Sequence, residues 1–227
     1  MPVPEPEAAG APPACLFADD DLIVLDKPAG LLCVPGRGPD KQDCLSARAA
    51  RHWPGACVVH RLDQATSGIV VMARHALAQR ALGDAFAGRR VHKQYVAVVD
   101  GDEADAGDGG PDWREISLPI AADWERRPLR VIDATAGKPS LTRWKPVARE
   151  PGFAGPALRV LLEPVTGRTH QLRVHMAAIG HPILGDALYA PAAAQARAPR
   201  LLLHAARIAF AHPRTGEPLV FESRPPF

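Results

Sequence analysis

The stretch Val58-Val59-His60-Arg61-Leu62-Asp63-Gln64-Ala65-Thr66-Ser67-Gly68-Ile69-Val70-Val71-Met72 sets two apolar, β-branched runs on either side of a polar turn. Val58-Val59 and Ile69 to Met72 read as short strands, because β-branched side chains fit a pleated, half-buried surface. Between them a carboxylate, Asp63, follows Arg61 by two positions. Thr66, Ser67 and Gly68 add hydroxyls and backbone donors that can fix the loop by local hydrogen bonds.

Working outward, Leu22-Ile23-Val24-Leu25 is a strand that stops in a turn at Lys27-Pro28-Ala29-Gly30, and Pro35 to Pro39 is a loop. Helix formers from about Lys41 to His52 end before Trp53-Pro54-Gly55. Leu77 to Ala87 carries apolar Leu77, Ala81, Leu82, Ala85 and Phe86 at helical spacing, ended by Gly88. Tyr95 to Val99 follows as a strand. Gly101 to Pro111 is a Gly- and Asp-rich surface loop, and Trp113 to Glu163 reads as short strands broken by Pro and Gly. Thr169 to Ile179 is a helix with Leu172, Met176 and Ile179 as its apolar stripe, Gly180 as C-cap and Pro182 shortly after. Leu201 to Leu203, Ile208 to Phe210 and Leu219 to Phe221 are late strands. The expected fold is α+β, a mixed and mostly antiparallel sheet with flanking helices. No G-x-G-x-x-G or G-x-x-x-x-G-K-[ST] occurs, which removes the usual nucleotide-cofactor readings.

With 47% hydrophobic and 23% charged residues over 227, the chain suits one compact domain or two small ones. No apolar run approaches the ~20 residues of a membrane helix. Met1 to Pro13 lacks a basic n-region and an apolar h-region, so it is expected to be a disordered leader rather than a secretory signal, and the protein cytoplasmic. Four cysteines, Cys15, Cys33, Cys44 and Cys57, form no C-x-x-C pair and read as reduced, packed thiols. The net charge of +2 says little, but arginines gather at Arg48/Arg51, Arg89/Arg90/His92/Lys93 and Arg168/Arg173, and acids at Asp100 to Asp112. That distribution suits a basic, phosphate-tracking face with the acidic loop placed away from it, or simply solvated helix faces.

A carboxylate such as Asp63, held between apolar strands, would have its pKa raised by burial unless a cation opposed it. Arg168, at the entrance to the helix after Gly167, is the candidate cation. It would hold Asp63 ionised as nucleophile or base, though the same pair could serve only to pin a loop.

Here the motifs add up. His60-Arg61-Leu62-Asp63-Gln64-Ala65-Thr66-Ser67-Gly68 matches the H-R-L-D-x-x-T-S-G signature of the RluA family of RNA pseudouridine synthases. Lys27-Pro28-Ala29-Gly30 resembles that family's first motif, Lys93-Gln94-Tyr95-Val96-Ala97 its K-x-Y-x-A strand, and Gly167 to His175 its G-R-T-H-Q-[IL]-R-V-H segment. The last continues through Gly180 to Asp186 and Tyr189. The resemblance runs from about Phe17 to the C-terminus and is nearest the short, dual-specificity branch, on residues Gly30 to Arg37 and Ala198 to Ala205.

The resemblance implies one catalytic domain over residues 14–227, without an S4 domain, that isomerises uridine to pseudouridine in RNA. The implied substrate is a tRNA anticodon stem-loop, a 23S rRNA hairpin loop, or both. It implies no cofactor and no metal, and a monomer with no obligate protein partner. Asp63 would be the catalytic carboxylate, Tyr95 the active-site tyrosine, and Arg168 the ion-pair partner of Asp63. Arg61 would fill the gap left by the flipped base, and Leu203 would cover the other face of the uracil. Two rivals stand beside this reading. A metal hydrolase built on His60, Asp63, His170, His175 and His181 suffers from the five-residue spacing of His170 and His175, which puts them about 140° apart on a helix. A non-catalytic RNA-binding module on the same fold would be betrayed by a missing Asp63, Tyr95 or Arg168.

Overall fold

A computed structural model describes residues 12–102 and 112–227. The expected leader therefore lies almost wholly outside the described residues, as does most of the Gly101 to Pro111 loop. The chain forms two compact units, one of residues 1–93 and 205–227, the other of 94–204.

In the first unit, β1 (Ala14–Ala18) and β2 (Leu22–Lys27) pair antiparallel. α1 (Leu45–His52) starts after a 3-10 turn at Pro39–Lys41, so the helix expected from Lys41 begins later. β3 (Cys57–Val58) and β2 both pair antiparallel with β4 (Ser67–Ala73), and α2 (Ala76–Ala87) follows. Every residue of β4 is buried, so its apolar run reflects a strand covered on both faces. One face packs Leu22, Val24, Ile69 and Val71 against Ala78, Leu82 and Ala85 of α2.

β5 (His92–Asp100) carries the chain into the second unit. There β6 (Arg114–Ser117), β9 (Leu141–Arg149), β10 (Ala157–Pro164) and β5 form an antiparallel sheet in the order β5-β10-β9-β6. β7 (Ile120–Ala122) and β8 (Arg130–Ile132) make a separate hairpin. α3 (Gln171–Ala178) packs on β8, β9 and β10, and a short α4 (Ala192–Gln195) follows. α3 buries more than the expected stripe: Leu172 and Met176 are inside with Gln171, Arg173, Val174 and His175, whereas Ile179 is half-buried. β11 (Leu203–Ala211) returns the chain to the first unit, where it borders β4 and pairs with β12 (Pro218–Glu222). The mixed, mostly antiparallel α+β architecture is as the sequence indicates.

Candidate active site

The loop between β3 and β4 is held from several sides. His60 accepts the Val71 N–H on Nε2 at 2.9 Å, and its ring stacks on Phe86 at 4.5 Å between centroids. Burial, helped by the charge of Lys93, pushes its pKa down to about 3, so the ring is neutral, as an acceptor nitrogen requires. Leu62 is buried, and its N–H donates to Cys33 Sγ at 3.2 Å. The Asp63 carbonyl accepts the Thr66 N–H at 3.1 Å and closes the turn. Burying Leu62 leaves its two neighbours outward: Arg61 is exposed and Asp63 half-buried.

Beneath the turn lies a residue the sequence reading named without a role. Lys27 is fully buried, and its Nζ donates to the carbonyls of Pro28, Leu31 and Gln64 at 2.8, 2.8 and 3.1 Å. Three carbonyls match the three donors of an ammonium, the condition for burying one. Gln64 and Gly30 add a reciprocal pair, Gly30 N–H to Gln64 O at 2.8 Å and Gln64 Nε2 to Gly30 O at 3.0 Å. The first motif therefore clamps the residue that follows Asp63. A lysine closing an apolar strand was the available signal. Burial raises the Cys33 thiol pKa; the charge of Asp63 adds to this, while Lys27 and Arg61 oppose it, which sets all four groups in one electrostatic neighbourhood.

Gly68 explains itself sterically. Its φ is +109°, and a Cβ there would lie 2.4 Å from the Ala205 carbonyl oxygen.

In the second unit, Tyr95 on β5 is half-buried opposite Leu162, which in turn pairs with Trp144. Alternation along β9 puts Trp144 and Thr142 on one face, and Thr142 Oγ1 bonds to Gln171 and His175 of α3. Tyr95 thus belongs to the α3 side of this sheet. The segment before α3 is fixed by Gln171, whose Oε1 accepts from the Arg168 N–H at 3.0 Å and the Thr166 hydroxyl at 2.7 Å. Its Nε2 donates to Leu141 O and Thr142 Oγ1. The Arg168 guanidinium is exposed and reaches Pro139 O at 3.3 and 3.4 Å, contacts long enough to be weak.

His170 caps α3 in the left-handed region, φ 58°, with Nδ1 at 2.6 Å from the Tyr189 hydroxyl. That oxygen also accepts the Arg130 N–H at 2.9 Å. Arg173 is buried in a two-bond pair with Asp186, at 2.8 and 2.6 Å, its guanidinium 5.1 Å from the Tyr189 ring.

Two arginines of the expected basic face belong inside. Arg173 is one. Arg48 is also buried, bound through Nε and Nη2 to Asp43 at 2.8 and 2.7 Å. Each has a carboxylate in reach, which compensates a buried guanidinium and takes it out of any phosphate-tracking role.

The histidines of the hydrolase reading are structural. His175 bonds Thr142 Oγ1 and donates Nε2–H to Leu118 O, and His181 Nδ1 donates to Asp100 O. Among the described residues, the cluster with metal-ligand spacing is Asp19, Asp21 and His212. It closes on itself: His212 Nδ1 accepts the N–H groups of Arg214 and Thr215, while Nε2 faces Asp19 at 3.0 Å.

The model of the RNA pseudouridylate synthase family matches residues 21–178, a span that takes in the β3–β4 turn, Tyr95 and Arg168. The chain belongs to that family. It is an RNA pseudouridine synthase, an isomerase. It is 45% identical over 208 residues to the dual-specificity RNA pseudouridine synthase RluA of Escherichia coli K12, covering 92% of this chain and 91% of that one. It is 42% identical over 212 residues to RluA of Yersinia pestis, covering 93% and 98%. Among solved structures it resembles human RNA pseudouridylate synthase domain containing 1, with a TM-score of 0.78 and 30% identity over 98% of this chain and 87% of that one. Asp63 and Arg61 lie in the synthase's first unit; Tyr95, Arg168 and Leu203 lie in its second, with Tyr95 and Leu203 beside the two points where the chain crosses. No described helix is long and apolar enough to cross a membrane.

Proposed function

We propose that this synthase acts on a hairpin-loop uridine, in a tRNA anticodon stem-loop, a 23S rRNA hairpin, or both, and that Asp63 is its catalytic carboxylate. The dual specificity named for the RluA relatives supports the choice of RNA. The observation that carries the residue assignment is the turn itself: a half-buried carboxylate on a backbone clamped by Lys27, Gly30 and Thr66. Preorganisation of that kind is what a reacting group needs. The family match crosses both units, which supports treating residues 14–227 as one catalytic domain.

In this reading the bond from N1 to the sugar breaks, the uracil turns, and C5 is joined to the sugar. Reaching N1 and C5 requires a flipped base, at a cost of a few kcal/mol that is least in a loop. Asp63 acts at the reacting uridine, kept ionised by Arg168. Tyr95 stacks on the uracil and takes part in removing the C5 proton. Arg61, exposed two residues before Asp63, fills the vacated stack. Leu203, buried at the start of β11, covers the other face of the base. Neither metal nor cofactor is required, and the protein works in the cytoplasm, where its RNA is.

Tritium release from anticodon stem-loop and 23S hairpin transcripts labelled at uridine C5 tests the reading. Asp63→Ala is expected to abolish release with the thermal transition unchanged. Release by that variant at the wild-type rate removes Asp63 from the chemistry, and no release by the wild type from either RNA removes the substrate assignment.

A further inference from the structure

We propose that the tip of the β7–β8 hairpin is a base-stacking platform for an unpaired loop nucleotide of the substrate RNA, with Trp124 as the stacking residue and Arg127 and Arg130 as its phosphate contacts. The proposal rests on the hairpin-RNA substrate given above.

Trp124 is 70% exposed, the extreme among the large aromatic side chains of the described surface. A tryptophan left in water offers a large flat apolar surface that a second flat partner can cover. It is not on a loose segment. Asp123 accepts the Arg126 N–H at 3.0 Å and the Arg126 Nε–H at 2.8 Å, Leu129 N–H donates to Arg126 O at 2.9 Å, and Asp123 N–H donates to Leu129 O at 3.1 Å. Those bonds hold the turn and present the ring outward.

The Arg127 guanidinium sits 4.2 Å from the centre of the Trp124 ring. It covers one face of the indole and adds positive charge beside it, while the exposure leaves ring surface for a second flat partner. A cation on one face and a base on the other is the recurring arrangement of single-strand recognition.

At the loop end of β8, where it pairs with Ala122, Arg130 is half-buried, and its buried Nε has no hydrogen-bond partner among the described residues. Buried, that Nε is out of reach of a phosphate; what half-buried Arg130 offers the RNA is the positive charge of its guanidinium beside the turn. Its own backbone N–H holds Tyr189, which holds His170, two residues after Arg168. The platform is therefore tied through the second unit to the backbone that carries Arg168. An unpaired base on Trp124 would orient the RNA loop relative to that segment, giving Trp124 a specificity role without contact with the reacting atoms.

The test uses the full chain and a fluorescein-labelled anticodon stem-loop, with a fully paired duplex of the same stem as control. Trp124→Ala is expected to weaken stem-loop binding about tenfold, ~1.4 kcal/mol, to leave duplex binding unchanged, and to raise KM in the tritium assay more than it lowers kcat. Trp124→Phe should recover part of the loss. Replacing loop nucleotides one at a time by abasic sites should find one position whose loss weakens wild-type binding by the same factor and adds nothing in Trp124→Ala. Arg127→Ala and Arg130→Ala should each lower the slope of log affinity against log salt by about one. Trp124→Ala binding the stem-loop as tightly as wild type overturns the proposal. So does an equal weakening for stem-loop and duplex, which would make the hairpin a general phosphate contact. Wild-type tritium release separates these outcomes from failure of the substrate reading, which would instead show as no release at all.

Discussion

Lys27 Nζ donates to the carbonyl of Gln64, the residue after Asp63, at 3.1 Å. The bond ties the end of β2 to the turn carrying the proposed catalytic carboxylate, and it is made by a side chain with no exposed surface. Lys27→Met keeps most of the volume and removes the donors to all three carbonyls. The Gln64 carbonyl keeps the Gly30 N–H, but each buried acceptor left unpaired costs ~1–3 kcal/mol, so loss of the donor to the Pro28 and Leu31 carbonyls should cost about 3 kcal/mol. For a chain of this size that lowers Tm by roughly 6–12 °C. Because the turn is loosened rather than its binding surface removed, kcat should fall more than KM rises. A Lys27→Met protein with wild-type Tm and kcat would show the clamp to be dispensable.

Two glycines make opposite predictions. Gly68 has φ +109° and backbone atoms of Ala205 within 2.4–2.9 Å of any Cβ. Gly68→Ala should destabilise by more than ~2 kcal/mol, since both the conformation and the space forbid the methyl. Gly83 lies inside α2 with nothing within 4 Å of its would-be Cβ. Gly83→Ala should stabilise by about 0.5–1 kcal/mol through helix propensity. Urea midpoints at constant m-value measure both, and the two shifts should differ in sign.

His60 makes stability depend on pH. Its folded pKa of about 3 lies below the ordinary value of 6.5, owing first to burial and then to Lys93. Between those values the unfolded chain takes up a proton that the folded one refuses, so stability is full above pH 6.5 and is lost as the pH falls toward 3. His175 is shifted the same way by burial and steepens the loss. His60→Gln offers Val71 an uncharged acceptor and should flatten the dependence of the urea midpoint on pH between 6.5 and 4. An unchanged slope in that variant would assign the acid sensitivity elsewhere.

The pattern of residues carried much of this. Full burial of Leu22 to Leu25 and of β4 follows from β-branched runs that only a covered strand can accommodate, and Gly88 ends α2 as its position indicates. Alternation and capping are local properties, so they can be read locally. Long-range compensation cannot. Nothing near Arg48 or Arg173 in a charge count distinguishes a solvated arginine from one buried on a carboxylate five or thirteen residues away. Lys27 was visible as part of a motif, but its three carbonyl partners arise from turns at Pro28 to Leu31 and at Gln64 that come together only in the fold. Trp124 had no motif to flag it; the signal was a tryptophan beside two arginines and a proline, a composition that a surface turn and a core segment share.

Arg173 and Asp186 form a buried ion pair. Both side chains are nearly without exposed surface, and Asp186 Oδ1 also accepts the N–H groups of Leu188 and Tyr189. The carboxylate therefore balances a buried charge and orients Tyr189, whose hydroxyl meets His170 and the Arg130 N–H. Asp186→Asn leaves a buried guanidinium without its counter-charge, which costs ~3–5 kcal/mol when one partner of a buried pair is removed. Replacing both, with Arg173→Met and Asp186→Asn, takes away the stranded charge and should recover much of that loss. It also keeps an amide to accept the Leu188 and Tyr189 bonds. Chemical denaturation of the two single variants and the double variant completes the cycle, and a double variant no more stable than Asp186→Asn would mean that backbone orientation, not charge pairing, is the main work of Asp186.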